Sequence, residues 1–262
     1  MFSITFAPIL TRSESRTTPI SLFEPMNFKS TLAIASLSAL AAGYIQAAII
    51  AQQNFEGNPA HLGYTTTTGT SALNSGTVAG STPNTSTWGV GSSTGLSFTT
   101  DAGSITFASI NTLNLTDSIN LSVRLAALSH TGGNGLDTDD NFLISVSTDG
   151  GQTFKDQIQV FGRTNARWSF SGGGATAQRA YSTSAVTEFR LEAGGTLTAD
   201  GYTNIILTGL PSAENLVIRF TATDNHVDER WLIDDMVVQT VPEPAAAALG
   251  ALGSLMLLRR RR

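Results

Sequence analysis

Alternation of apolar and polar residues at a period of two is the feature that most limits what this chain can fold into. Ile119, Leu121, Val123 and Leu125 alternate with Asn120, Ser122 and Arg124. Leu216, Ile218, Phe220 and Ala222 alternate with Val217, Arg219 and Thr221, and Phe142, Ile144 and Val146 keep the same spacing. A period of two sends successive side chains to opposite faces of a strand. Shorter runs predict strands at Ser104–Ile110, Gln157–Phe161, Thr187–Leu191 and Asn204–Thr208. Trp231–Val238 is apolar on both faces, as a central strand is. No segment of residues 52–240 carries a helical period. The 25 glycines and a charged fraction of only 13% fit short strands joined by turns. The expected fold is all-β, an antiparallel two-sheet jelly-roll-like sandwich over residues 52–240. His61–Gly95 and Phe170–Thr183 read as long loops on its rim.

The two ends read differently from the middle. Met26-Asn27-Phe28-Lys29 is a short basic start, Thr31–Ala42 is apolar, and Ala47, Ala48 and Ala51 are small. This is the layout of a secretory signal peptide over residues 26–51, helical and read by the secretion translocon, with cleavage between Ala47 and Ala51. Residues 1–25 are either an extended n-region or a mis-assigned start ahead of Met26. At the other end, Pro242, Glu243 and Pro244 interrupt regular structure. The uncharged run Ala245–Leu258 predicts a short transmembrane helix, and Arg259, Arg260, Arg261 and Arg262 hold its end in the cytoplasm. The 14 residues of that run span roughly 21 Å as a helix, against about 30 Å of hydrocarbon. A transient anchor suits such a length better than a permanent one. The order of parts over residues 241–262 resembles the PEP-CTERM sorting signal. That resemblance implies an exosortase-type sorting enzyme as partner and a membrane contact through the C-terminal helix. It also implies export, with transient anchoring in the inner membrane and then a place in the cell envelope or outside the cell.

Export makes the absence of cysteine informative. The domain folds without disulfides, so its apolar core must suffice. The net charge of −5 includes the four terminal arginines, so the exported part is more acidic still. Nucleic acid is excluded as a partner on that ground.

Several motifs could carry chemistry. Ser147-Thr148-Asp149-Gly150-Gly151-Gln152-Thr153-Phe154 resembles the Asp-box of sialidases and related propellers, in which the Asp braces a tight turn. With one copy in this chain it reads as a hairpin. Asp137, Asp139 and Asp140 precede a strand, and alternate oxygen ligands such as Asp137 and Asp139 suit Ca²⁺; an exposed Asx-capped turn is the other reading. Asn54-Phe55-Glu56-Gly57 opens the domain, and Trp231–Val238, with Asp234 and Asp235, closes it. These two edges resemble jelly-roll domains of the galactose-binding and MAM-like groups. The resemblance implies neighbouring first and last strands and a structural calcium at their margin, for which Glu56 with Asp234 or Asp235 would be ligands. A carboxylate paired with Arg219 or Arg230 is the alternative. Asp224 to Glu229, with His226, reads as a polar loop. Trp88, Trp168, Tyr181 and Tyr202 are the aromatics able to stack on a sugar.

Together these readings describe an exported, non-enzymatic component of the cell surface or extracellular matrix, structural or in contact with polysaccharide. The alternative is a secreted carbohydrate-active enzyme or its carbohydrate-binding module. Two carboxylates facing across a groove would favour the enzyme.

Overall fold

The computed structural model describes residues 47–67, 70–73, 90–99, 101–129, 134–170, 175–190 and 201–241. The basic and apolar parts of the signal segment and the sorting residues Pro242 to Arg262 lie outside them. Among the described residues no helix is long and apolar enough to cross a membrane.

The strands are Ile49–Gln53 (β1), Tyr64–Thr66 (β2), Thr70–Leu73 (β3), Gly95–Thr99 (β4), Asp101–Phe107 (β5), Ser118–Ser129 (β6) and Asn141–Ser147 (β7). They continue with Lys155–Phe161 (β8), Ala175–Ala180 (β9), Thr187–Phe189 (β10), Tyr202–Thr208 (β11), Val217–Asp224 (β12) and Glu229–Val241 (β13). Two sheets form. The first has the order β3-β4-β13-β6-β11-β9, with β1 also on β13. The second has the order β10-β8-β7-β12-β5-β2.

The alternating sets face inward and meet. Leu121, Val123 and Leu125 of β6 pack with Phe142, Ile144 and Val146 of β7 and Ile218 and Phe220 of β12 in one buried cluster. Aromatic rings bridge the sheets, Phe98 to Phe142 at 5.9 Å and Phe142 to Trp231 at 6.1 Å between centroids, and Trp168, bridged to Ala127 of β6, stands 5.6 Å from Trp231. Tilted and edge contacts of this kind add about 0.5–1.5 kcal/mol each beyond area burial. A core of this size explains how a domain without cysteine holds together.

Two results correct the expected layout. The sheets are not wholly antiparallel: β10 pairs with β8, and β11 with β9, in parallel. Strands β8, β9, β10 and β11 fall alternately in the second, first, second and first sheets. Each chain segment crosses to the other sheet before returning, so next-but-one strands run the same way. The folded part also begins before residue 52. Ile49 to Gln53 pairs with β13, and Thr240 N–H donates to Ala48 O at 2.9 Å. Cleavage after Ala47 would leave β1 whole, whereas cleavage after Ala51 would remove most of it. The first and last strands are neighbours, as the resemblance implied.

Candidate functional site

Strand β13 holds two partners on one edge. Its first half pairs with β4 through Arg230 to Ile233, and its second half with β1 from Met236 onward. At the junction the register against β6 slips between Asp234 and Val237. Asp235 takes φ 48, a left-handed conformation that Asp tolerates better than most residues. This bulge changes the phase of the side chains. Trp231 and Ile233 lie in the core before it and Met236 and Val238 after it. Period-two reasoning would push Asp234 or Asp235 towards the core; the extra residue keeps both out, a common use of a bulge beside a site.

The two acids then do different things. Asp234 is fully buried under the 90–94 segment. Its Oδ2 accepts from Val90 N–H at 2.8 Å and Ser93 Oγ–H at 2.9 Å, and its Oδ1 accepts from Asp235 N–H at 2.7 Å. Burial pushes its pKa up to about 6, against those hydrogen bonds. Asp235 is exposed and lines a groove on the outer face of the first sheet.

The groove has a volume of about 340 Å³ and lies over β6, β11 and β13. Ser122 and Arg124 line it from β6, Asn204 and Ile206 from β11, and Asp235 and Val237 from β13. Arg124 and Asn204 are directly opposite in the β6–β11 ladder. Arg124 Nη1–H donates to Asn204 Oδ1 at 3.0 Å, which fixes both planar groups. Arg124 Nε has no hydrogen-bond partner among the described residues. Farther along the same sheet face, Phe170 packs with Ala126, Leu128 and Leu232, and Val90 rests on them. That covered patch leaves the polar half of the face open. The open half presents an oriented guanidinium, an amide, a hydroxyl and a carboxylate beside the aliphatic Ile206 and Val237.

The other residues named from sequence lie elsewhere. Glu56 is exposed and accepts from Thr94 N–H, and from Thr94 Oγ1–H at 3.4 Å. Glu56 and Asp234 thus hold the same short segment, through hydrogen bonds. Asp137 and Asp139 lie in a separate turn, where Asp139 is exposed. Asp137 Oδ1 accepts from Asn165 N–H at 3.2 Å, and Asp137 N–H donates to Asp140. Asp140 is buried, and burial with the charges of Glu229 and Asp137 outweighs its backbone hydrogen bonds, lifting its pKa to about 6. Glu229 is buried as well, and burial raises its pKa. The signal for Glu229 was present: it is in phase with Trp231 and Ile233, so it faces inward. Among the described residues no group of three or more His, Cys, Asp or Glu is placed to hold a metal ion.

His226 sits in a local turn, 3.8 Å from Asp228. Trp168 is in the core, Tyr181 and Tyr202 are half-buried against it, and Trp88 lies outside the described residues. The Asp-box segment is a turn between β7 and β8. Asp149 accepts from Ser147 Oγ and Thr153 Oγ1 at 2.6 Å each and from the N–H groups of Gln152 and Thr153. Those bonds hold its carboxyl well below the usual carboxylate range. Gly150 and Gly151 supply φ 75 and φ 90 there.

No known family model matches the chain, and no curated protein does. Among solved structures it is similar to the CBM22-1 xylan-binding domain of Xyn10C from Paenibacillus barcinonensis. That likeness has 12% identity over 74% of this chain and 96% of the other, with a TM-score of 0.35. It is similar to TmCBM61, solved with β-1,4-galactotriose, at 10% identity over 71% and 97% of the two chains and a TM-score of 0.37. It is also similar to the K2 cleaved adhesin domain of Lys-gingipain, at 13% identity over 71% and 96% and a TM-score of 0.38.

Proposed function

We propose that this protein is an exported, non-enzymatic, glycan-binding component of the cell surface or extracellular matrix. The observation that carries the reading is the groove on the first sheet. Sugars offer hydroxyls that both donate and accept. A guanidinium, an amide, a hydroxyl and a carboxylate fixed on rigid strands match that pattern, and Ile206 and Val237 suit the apolar C–H face of a pyranose. Hydrolysis of a glycosidic bond uses a pair of carboxylates, and the described lining of the groove supplies one, Asp235. That supports binding over the alternative of a carbohydrate-active enzyme. The proposal gives calcium no part.

A glycan array followed by calorimetry on the full chain tests it. Asp235→Ala removes a charged acceptor, and a hydrogen bond to a charged group contributes roughly 1.5–3 kcal/mol. The affinity for the selected glycan is expected to fall about 10- to 100-fold. Asn204→Ala frees Arg124 as well and is expected to fall at least as far. A glycan that binds both variants as tightly as the unaltered protein would exclude the groove.

The route is part of the same proposal. The signal segment directs export, and an exosortase-type enzyme acts at Pro242-Glu243-Pro244. Native envelope protein is then expected to have lost residues up to Ala47 and the segment beyond Pro244. Intact-mass measurement checks this, and a species that keeps Arg259–Arg262 would remove the sorting step.

A further inference from the structure

The opposite face of the sandwich carries a second depression. It lies on the outer face of the second sheet, with a volume of about 330 Å³, lined by Thr67, Ala102, Gly103, Ser104, Arg219 and Thr221. Small residues on β5 make the room: Ala102 and Gly103 stand opposite Thr223 and Ala222 of β12. The rim hydroxyls are fixed, since Ser104 N–H donates to Thr67 Oγ1 at 2.9 Å and the two hydroxyls lie 3.3 Å apart.

Arg219 is the unusual member. Its guanidinium carbon sits 3.9 Å from the centroid of the Phe154 ring. Stacking restrains the plane of the cation and leaves its N–H edge to other partners. Arg219 makes no hydrogen bond or ion pair with any described residue, and its buried Nε has no acceptor. In the row of paired residues that holds Arg219, Ser145 of β7 comes next and Asp156 of β8 after it, and Asp156 Oδ1 accepts from Ser145 Oγ–H at 2.7 Å. A half-buried, oriented cation with no ion pair among the described residues, beside fixed hydroxyls and an open cavity, is suited to an oxyanion. Arginine pairs with such groups through two parallel hydrogen bonds.

We propose that this face is a second binding site, for the carboxylate of an acidic sugar residue. The net charge of −5 works against a polymer densely charged along its length. That repulsion is screened beyond about 8 Å at physiological ionic strength. The ligand is therefore a glycan with an isolated or terminal uronate rather than a continuous run of acids. A glycan as carrier rests on the reading of the groove; the oxyanion chemistry at Arg219 stands without it. Grooves on opposite faces would let one molecule bridge two polymer strands, with a gain in avidity where both engage.

The test uses the full chain and three probes: a neutral cello-oligosaccharide, the same oligosaccharide ending in a uronate, and sulfate alone. The unaltered protein is expected to bind the uronate-ended probe at least about tenfold more tightly than the neutral one, the worth of one charge-assisted pair. Arg219→Gln is expected to erase that preference. Arg219→Lys, which keeps the charge but loses the fork and the stack, is expected to retain only part of it. Asn204→Ala in the groove is expected to weaken the neutral probe and to leave the Arg219-dependent binding of the uronate end in place. Sulfate is expected to compete with the uronate end in the unaltered protein and not in Arg219→Gln. Thermal melts of both Arg219 variants establish that they fold. A preference that survives Arg219→Gln overturns the site, as does equal binding of the two oligosaccharides. Sulfate binding at Arg219 without uronate preference overturns the sugar assignment. Loss of neutral binding in every protein, with the Arg219-dependent sulfate effect intact, overturns the groove reading instead.

Discussion

Gly201→Ala is expected to destabilise the domain by about 3 kcal/mol or more. Gly201 immediately precedes β11, and a Cβ placed there would lie 1.9 Å from Cγ and Cδ2 of Trp168. Real Cβ contacts do not come so close, so the indole must move. It has nowhere to go. Trp168 is 1% exposed and stands edge-on to Trp231. Its backbone is tied to Ala127 by a pair of hydrogen bonds, at 2.8 and 3.0 Å. Expelling a core tryptophan costs roughly what truncating it does, about 3–5 kcal/mol, and overpacking without expulsion costs about 1–3 kcal/mol. Denaturant unfolding of the variant checks the value. The double variant Gly201→Ala with Trp168→Leu is expected to recover part of the loss, because the smaller side chain makes room for the methyl group. A single variant as stable as the unaltered protein would mean that β11 does not pass Trp168 so closely.

Much of the fold was legible because alternation is a local signal. Each strand expected between Ser104 and Val238 is present. Partner order was not legible. Nothing near Ala175 or Thr187 tells that β9 and β10 belong to different sheets, since those strands are short and half exposed and their place depends on the crossings around them. The groove was legible only in part. Arg124 stood out as a polar member of an alternating strand, but its pairing with Asn204 joins residues 80 positions apart through strand register. The bulge at Asp235 was hidden because two partner strands meet end to end on one edge of β13, which is tertiary information. In the Asp137–Asp140 turn, a rule about alternate oxygen ligands selected Asp139, which is solvated. Asp140 is the buried one, and the groups that act on its charge include Asn225 and Glu229, from the far end of the chain.

Asp234 is where stability and the groove meet, and its effect should depend on pH. Asp234→Ala leaves Val90 N–H and Asp235 N–H without their acceptor beneath the 90–94 segment. A buried donor left unpaired costs about 1–3 kcal/mol, so a loss of roughly 2–4 kcal/mol is expected. The same change frees Asp235 from its fixed φ, so glycan affinity at the groove should fall with it. Both Asp234 and Asp140 have pKa values near 6 in the fold, against about 3.9 in an unfolded chain. A raised value means that the folded state binds protons more tightly than the unfolded one. The stability it contributes is full below the unfolded value and is lost as pH rises through the folded one. Between pH 7.5 and 5 the protein should therefore gain about 1 kcal/mol from each acid. Below about pH 4 the trend reverses, because Asp149 is held in its charged form by Ser147 and Thr153 and that contribution fades on protonation. Urea unfolding across this range is expected to show a maximum near pH 4 to 5. Asp234→Asn and Asp140→Asn should each remove its own share, about 1 kcal/mol, of the gain on going from pH 7.5 to 5. A protein less stable at pH 5 than at pH 7.5 would show that these two carboxylates do not resist ionisation in the fold, and that Asp234 holds the 90–94 segment as an ordinary charged acceptor.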